Sequence, residues 1–376
     1  MLAESFDIDG GAVVIGFGGF EIVVLTRTEI AGQRAQRQQH NRYQPDRKQG
    51  VPHQWSHTGG RNRGGIRIST YRPVYSPGVS TSGMEFRFEV ALCRWLEANT
   101  DWIVARQLGG AVDTPGARIV DICGVVPGEA FDARTRITSD TIPSLAIESD
   151  VGAGRAVDGR QAFDCSAERA HSVIERATEC GFFEADRRNG RLSVRQTTRY
   201  PDWIGGLVAI ENKPDLETPG DLRRQLRIDV SVGLFDRVVL ATESYVTDAH
   251  LNRIPEVVGV WRFDPETGKR RVIREPTPLA VDETGVELQA SKPLQTDVAF
   301  VSPTQKAAKR RRIAERAYGK GWRTYTFPDC DHIEATEDGR PHCSWFDRTV
   351  NPAVECGVDC EGFDDGESPT VDCETL

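Results

Sequence analysis

Leu207-Val208-Ala209-Ile210-Glu211-Asn212-Lys213 ends an apolar run with a carboxylate and an amine two residues apart. Residues i and i+2 of a strand project from the same face, so Glu211 and Lys213 are expected to point the same way. Drawing both out of water is costly unless a metal, an anionic substrate or the opposite charge compensates. A plain ion pair at a strand end is the other reading of the same spacing. The chain has only seven lysines beside forty arginines, so a lysine here stands out. A second carboxylate has two candidates. Asp121 sits in the apolar middle of Arg118-Ile119-Val120-Asp121-Ile122-Cys123, where a buried acid needs a ligand or a partner. Asp202 follows Pro201, which is ordinary turn chemistry. If Gly205-Gly206 makes a two-residue hairpin turn, Asp202 lies diagonal to Glu211 on one face. Two carboxylates and a lysine suit Mg²⁺ or Mn²⁺, held by hard oxygens with several waters kept. Such an ion activates water and stabilises charge on a phosphate, while the lysine orients the attacking water.

A separate constellation is Cys330, Cys343, Cys356 and Cys360, with His332 and His342 nearby. Four of the nine cysteines fall in this short stretch. Four thiolates suit structural zinc, and iron–sulfur clusters use the same donor set. Ordinary reduced thiols are the plainer alternative, and the odd cysteine count already disfavours a disulfide framework.

The elements that must position these groups follow from periodicity. Residues 84–98 read as a helix with Ser82 as N-cap and Phe88, Leu92 and Trp95 on one face. Strands are expected at 102–107 and 118–126. Residues 128–200 look like an insertion, with a helix over 166–180 and a hairpin turning at Arg188-Asn189-Gly190, the outline of a winged helix. The core resumes at 207–210. Thr218 is expected to cap the next helix, with Pro219 at its first position and Asp221 at capping-box spacing. A strand at 237–241, a hairpin from 257–263 to 271–274, and a helix from Pro303 to Tyr318, capped by Ser302 and stopped by Gly319, complete the pattern. The expected division is a disordered basic extension (1–83), the first part of the core (84–127), the insertion (128–200), the second part of the core (201–300), a helix with the cysteine segment (301–360) and a disordered acidic tail (361–376). The order implies an α/β fold with a mixed sheet flanked by helices.

Composition excludes other classes. Among 376 residues no stretch approaches the roughly 20 apolar residues of a membrane span. Ala12 to Leu25 is short, glycine-rich and broken by Glu21, and no basic leader precedes it, so a soluble, cytoplasmic protein is expected. Net charge is −9, although residues 1–83 are basic. An acidic, lysine-poor surface suits concentrated salt; a bias toward arginine codons explains it equally. Arg187, Arg188, Arg191 and Arg195, and Lys309 to Arg312 with Arg316, are either phosphate contacts or solvated faces.

The layout resembles the PD-(D/E)XK nuclease superfamily. Glu211-Asn212-Lys213 matches its E-x-K element, Asp121 fits the aspartate strand by order, and Pro201-Asp202 fits it by letters. Glu89 matches an acid on the first helix, and Gln225 a glutamine on the helix after E-x-K. The likeness covers about 84–127 and 200–245, and the insertion 128–200 departs from it. It implies a restriction-endonuclease-like core and Mg²⁺-dependent hydrolysis of DNA phosphodiesters in repair, recombination or defence. A nucleic-acid-binding or regulatory protein that keeps the core without cleaving is the alternative. The stretch 210–231 is also similar to an uncharacterised family of halophilic archaeal proteins that begin near the position of Met84. Some RecB-like nucleases hold an iron–sulfur cluster with C-terminal cysteines, at tighter spacing, and one near the first helix, where Cys93 lies.

Overall fold

The computed structural model describes residues 5–8, 12–17, 20–25, 81–188, 190–218, 220–292 and 295–369. The chain divides into two units, Met1–Ser76 and Pro77–Leu376. In the first, β1 (Ser5–Ile8), β2 (Ala12–Phe17) and β3 (Phe20–Leu25) form an antiparallel sheet in that order. This corrects the expectation of disorder from residue 1: Val13-Val14-Ile15 and Ile22-Val23-Val24 are β-branched runs suited to a pleated strand. The disorder expected over 28–80 lies outside the described residues.

The second unit opens with α1 (Thr81–Asn99), β4 (Ile103–Gly109) and β5 (Ile119–Pro127). Residues 128–200, expected to be an insertion, hold α2 (Phe131–Thr135), α3 (Ser144–Glu148), β6 (Val157–Asp158), α4 (Ala167–Glu179), β7 (Phe183–Arg188) and β8 (Arg191–Gln196). Then come β9 (Ile204–Asn212), α5 (Leu222–Val232), β10 (Arg237–Thr242), α6 (Asp248–Leu251), β11 (Gly259–Asp264) and β12 (Lys269–Arg274). The hairpin β13 (Gly285–Lys292) and β14 (Gln295–Val301) leads into α7 (Pro303–Lys320). Three short strands, β15 (Ile333–Ala335), β16 (Pro341–Cys343) and β17 (Arg348–Thr349), and α8 (Pro352–Glu355) complete the described elements.

Six strands make one mixed sheet in the order β12-β11-β10-β9-β5-β4. β4, β5 and β9 form an antiparallel meander, β9, β10 and β11 run parallel, and β12 returns antiparallel. Ile122, Val208, Ile210, Val239 and Ala241 pack under α1 through Phe88, Leu92 and Leu96. Cys123, Val125, Leu207, Ala209 and Leu240 pack on the other face with Leu222 and Leu226 of α5 and Ile313, Ala314 and Ala317 of α7. Helices on both faces explain why the central strands read as continuous apolar runs.

Three local expectations change. No hairpin turn occurs at Gly205-Gly206: β9 passes straight through both. A Cβ on Gly205 would lie 2.9 Å from the Pro127 carbonyl oxygen, so glycine serves close strand approach at an irregularity in the β5–β9 ladder. α5 starts at Leu222, without a Thr218 cap, because the Thr218 hydroxyl donates to the Asp215 carboxylate in the preceding turn at 3.1 Å. α7 keeps its Ser302 capping box but runs through Gly319 to Lys320, ending at Gly321 with φ 60°. The acidic end is also not wholly disordered. Phe363 packs into the cysteine-bearing cluster, and Asp331 donates its N–H to the Asp364 carbonyl at 2.9 Å.

Within 128–200, α4 and the β7–β8 hairpin share a small core of Ile174, Ala177, Phe182, Phe183 and Val194, with β6 paired to β8. Buried charge ties it to α7. Arg134 donates to both Glu315 oxygens at 2.7 Å, and Glu315 also accepts from the Ile142 N–H and the Tyr200 hydroxyl. Removing one partner of such a pair strands the other charge. Glu315→Leu should therefore lower stability by about 3–5 kcal/mol in chemical denaturation, and a loss under about 1 kcal/mol would contradict this role.

Candidate active site

The ladder between β5 and β9 pairs Ile122 with Ile210, and one further step sets Asp121 across from Glu211. The β4–β5 ladder pairs Arg106 with Ile122 and Leu108 with Val120, so Gln107 occupies the position across from Asp121. Gln107, Asp121 and Glu211 thus stand in a row on three neighbouring strands, where opposed Cβ atoms lie about 4.5–5.5 Å apart. Asp121 extends the ladder with its side chain, its Oδ2 accepting the Asn212 backbone N–H at 2.9 Å. Gln107 has φ 56°, a left-handed conformation that costs a non-glycine residue energy and recurs at functional sites.

The charges around this row are unequally matched. Arg118 is buried and donates to Glu211 Oε2 at 2.6 Å and to the two Asp229 oxygens at 3.0 and 2.6 Å. Burial opposes its charge, but the bonds to Asp229 and Glu211 outweigh burial and keep the guanidinium protonated. Burial raises the Glu211 carboxyl despite Arg118, and raises Asp229 in the same way. Among the described residues Asp121 has no ion-pair partner. Its carboxyl is pushed up to about 8, first by burial and next by the negative charge of Glu211, with the Asn212 N–H pulling the other way.

The neighbouring helices surround the row. Glu89 of α1 accepts from Arg106 at 2.8 Å and Gln107 at 3.1 Å, and its charge further raises Asp121. Lys213 lies at the strand exit, where its Nζ donates to Glu85 Oε1 of α1 at 2.5 Å, not to Glu211. The Asn212 amide donates to the Glu85 carbonyl, leaving its buried Oδ1 without a hydrogen-bond partner among the described residues. Gln225 of α5 lines a cleft of about 390 Å³ together with Gln107, Arg118 and Asp121. β13 forms another wall of the cleft. Its buried Glu287 accepts the backbone N–H groups of Val112, Asp113 and Thr114 at 2.5, 3.0 and 3.0 Å, clamping the β4–β5 loop.

Of the two candidate aspartates, only Asp121 joins Glu211. Asp202 is exposed and precedes the first residue of β9, whereas Glu211 is near its last. About 3.3 Å of rise per residue separates the two by most of the strand. Arg118 and Glu287 were not among the candidates. Arg118 directly precedes β5 and reads as its flank; Asp229 lies four residues after Gln225 on α5, on the same helix face, which is its sequence signal.

Asp121 and Glu211 offer the hard oxygen donors that Mg²⁺ accepts alongside retained waters. Among the described residues no group of three or more His, Cys, Asp or Glu side chains is arranged to hold a metal, so this pair is a partial shell. The half-buried Asp121, which has no ion-pair partner among the described residues, suits a cation in chemical type. Elsewhere, Cys330, Cys343 and Cys356 share one small cluster, and Cys356 is pushed up to about 11 by burial and by the nearby Cys343, Cys360 and Cys330. Cys93 belongs to the separate α1 cluster, so it supplies no upstream ligand there. Several basic candidates are engaged: Arg195 with Glu184, Arg310 with Asp236 and Arg312 with Glu148. The side chain of Arg188 lies outside the described residues.

Residues 103–365 match a family described as a family of unknown function (DUF5787). No curated protein and no solved structure matches the chain.

The raised Asp121 carboxyl has a signed consequence. Between about pH 4 and pH 8 the folded group holds a proton that the unfolded one has lost, so stability falls as pH rises through that window. Asp121→Asn removes this penalty. In divalent-free buffer it should exceed the wild type by on the order of a few kcal/mol at pH 8 and converge with it near pH 4. Parallel stability–pH curves for the two proteins would contradict the assignment.

Proposed function

The chain belongs to the DUF5787 family, and we propose that Asp121 and Glu211 form the centre of a Mg²⁺- or Mn²⁺-dependent phosphodiesterase acting on DNA. The observation that carries this reading is the half-buried Asp121, set across from Glu211, without an ion-pair partner among the described residues and opening on a cleft. The order α1, β4, β5, β9, α5, β10 supports it, with an aspartate on the third element and E-x-K at the end of the fourth. That order resembles the PD-(D/E)XK nucleases. When bound, a divalent ion supplies a Lewis acid for a phosphate oxygen and lowers the pKa of water.

This chain's own residues do the rest. Asp121 and Glu211 give the oxygens that hold the ion, and Arg118 fixes the Glu211 carboxylate by a 2.6 Å bond. Glu89 restrains Gln107 beside Asp121. Lys213, tethered by Glu85 at the strand exit, has an amine able to turn toward an attacking water or a phosphate oxygen. Gln225 adds an amide at the cleft wall. On this reading the chain works in the cytoplasm. No helix among the described residues is long and apolar enough to cross a membrane. If its acidic surface reflects concentrated salt, counterion release adds little, and DNA binding rests on metal, stacking and hydrogen bonds.

A second reading, binding without cleavage, has its own observation: Lys213 is engaged by Glu85, and Arg118 occupies Glu211. Incubation with single- and double-stranded DNA and Mg²⁺ or Mn²⁺ separates the two. Cleavage by the wild type should fall by about 10²-fold or more in Asp121→Asn, Glu211→Gln and Lys213→Ala, with DNA affinity kept. DNA binding by a wild type that cuts neither form would select the second reading. Cleavage undiminished in Asp121→Asn would remove the proposed centre.

A further inference from the structure

We propose that Cys330, Cys343, Cys356 and Cys360 bind a structural Zn²⁺ that closes the C-terminal module of residues 323–369. This inference is independent of the phosphodiesterase reading. The four cysteines come from four backbone segments that fold onto one another. Cys330 sits in the turn before β15, its carbonyl accepting the Ile333 N–H at 3.2 Å. Cys343 ends β16, paired in register with Ile333. Cys356 follows α8 directly, and Cys360 lies in the next turn, its N–H donating to the Gly357 carbonyl at 3.0 Å.

The module's own apolar core is small. Its strands have 3, 3 and 2 residues. Its buried cluster is Cys330, Ile333, Cys343 and Val350, with Phe327, Phe346, Cys356 and Phe363 packed against it. Two of the four buried members are thiols, where a core of this size would otherwise need aliphatic side chains. Small modules of this kind are stabilised by disulfides or a metal, and these thiols form no disulfide.

The donor set favours sulfur alone. His332 Nδ1 lies 3.3 Å from the Ser344 hydroxyl, and His342 Nε2 faces Asp347 at 3.7 Å, so both rings are turned to other partners. Cys330 and Cys343 are buried while Cys356 and Cys360 are half-buried, which leaves an entry side for the ion. Cys343, Cys360 and Cys330 all lie near enough to Cys356 to act on its thiol, so the four sulfurs surround one place where a single ion would hold them. Four thiolates and Zn²⁺ make a closed tetrahedral site, in which binding free energy becomes folding free energy of the module.

The test is elemental analysis of the full chain, purified under reducing conditions without added metal. The wild type and the control Cys165→Ser should carry about one equivalent of zinc, and Cys343→Ser and Cys360→Ser less than about a fifth of that. Cys360 is half-buried, so its variant guards against a general folding failure at Cys343. Limited proteolysis of the zinc-free variants should cut within 323–369 and spare the six-stranded core. Chain without zinc, iron with visible absorption, disulfides among these cysteines by mass, or zinc unchanged in both ligand variants would each overturn the proposal.

Discussion

Three carboxylates and one buried guanidinium meet where β5 lies antiparallel to β9, and the site depends on that imbalance. Arg118 is shared between Glu211 and Asp229. Asp121 faces Glu211 across the ladder, and the Asn212 N–H and the more distant Arg118 charge only partly offset burial and the charge of Glu211. A carboxylate so placed either takes up a proton or finds a cation, because like charges at cross-strand distance in a poorly solvated site cannot both stay ionised cheaply. Both outcomes are open to Asp121, since its carboxyl is held near neutrality at about 8. An ordinary surface acid would be ionised throughout, and a fully paired one would have no use for a metal.

The surrounding elements preserve that imbalance. α1 keeps Glu89 bound to Arg106 and Lys213 bound to Glu85, so neither nearby cation settles on Asp121. α5 brings Asp229 to share Arg118. Glu287 of β13 collects three backbone N–H groups of the β4–β5 loop, which fixes the cleft wall without adding a mobile charge. A sheet covered by helices on both faces excludes water from the strand centres, and the same burial raises Asp121, Glu211 and Asp229.

Much of this was legible in the sequence, and the failures have physical causes. Apolar runs were enough to find the core strands and their order along the chain, and the charges at 121, 211 and 213 marked which of them carry the candidate site. Choosing between Asp121 and Asp202 needed the fate of Gly205-Gly206, and glycine pairs serve close strand contact as readily as turns. Thr218 had the composition of a helix cap but was taken by Asp215 one turn earlier. β13 escaped notice because its inward position is occupied by Glu287, which inverts the usual apolar alternation. The sequence pairing of Glu211 with Lys213 failed in detail: α1 offers Glu85 to the lysine, and that contact has no signature in local spacing.

Calorimetry of Mg²⁺ binding near pH 7, repeated in buffers of different ionisation enthalpy, probes the shared proton directly. If Asp121 is protonated in the free protein and becomes a ligand, binding should release about one proton, and Asp121→Asn should abolish both the release and the tight binding. Mg²⁺ binding with no dependence on buffer, or with the same proton count in Asp121→Asn, would contradict the account.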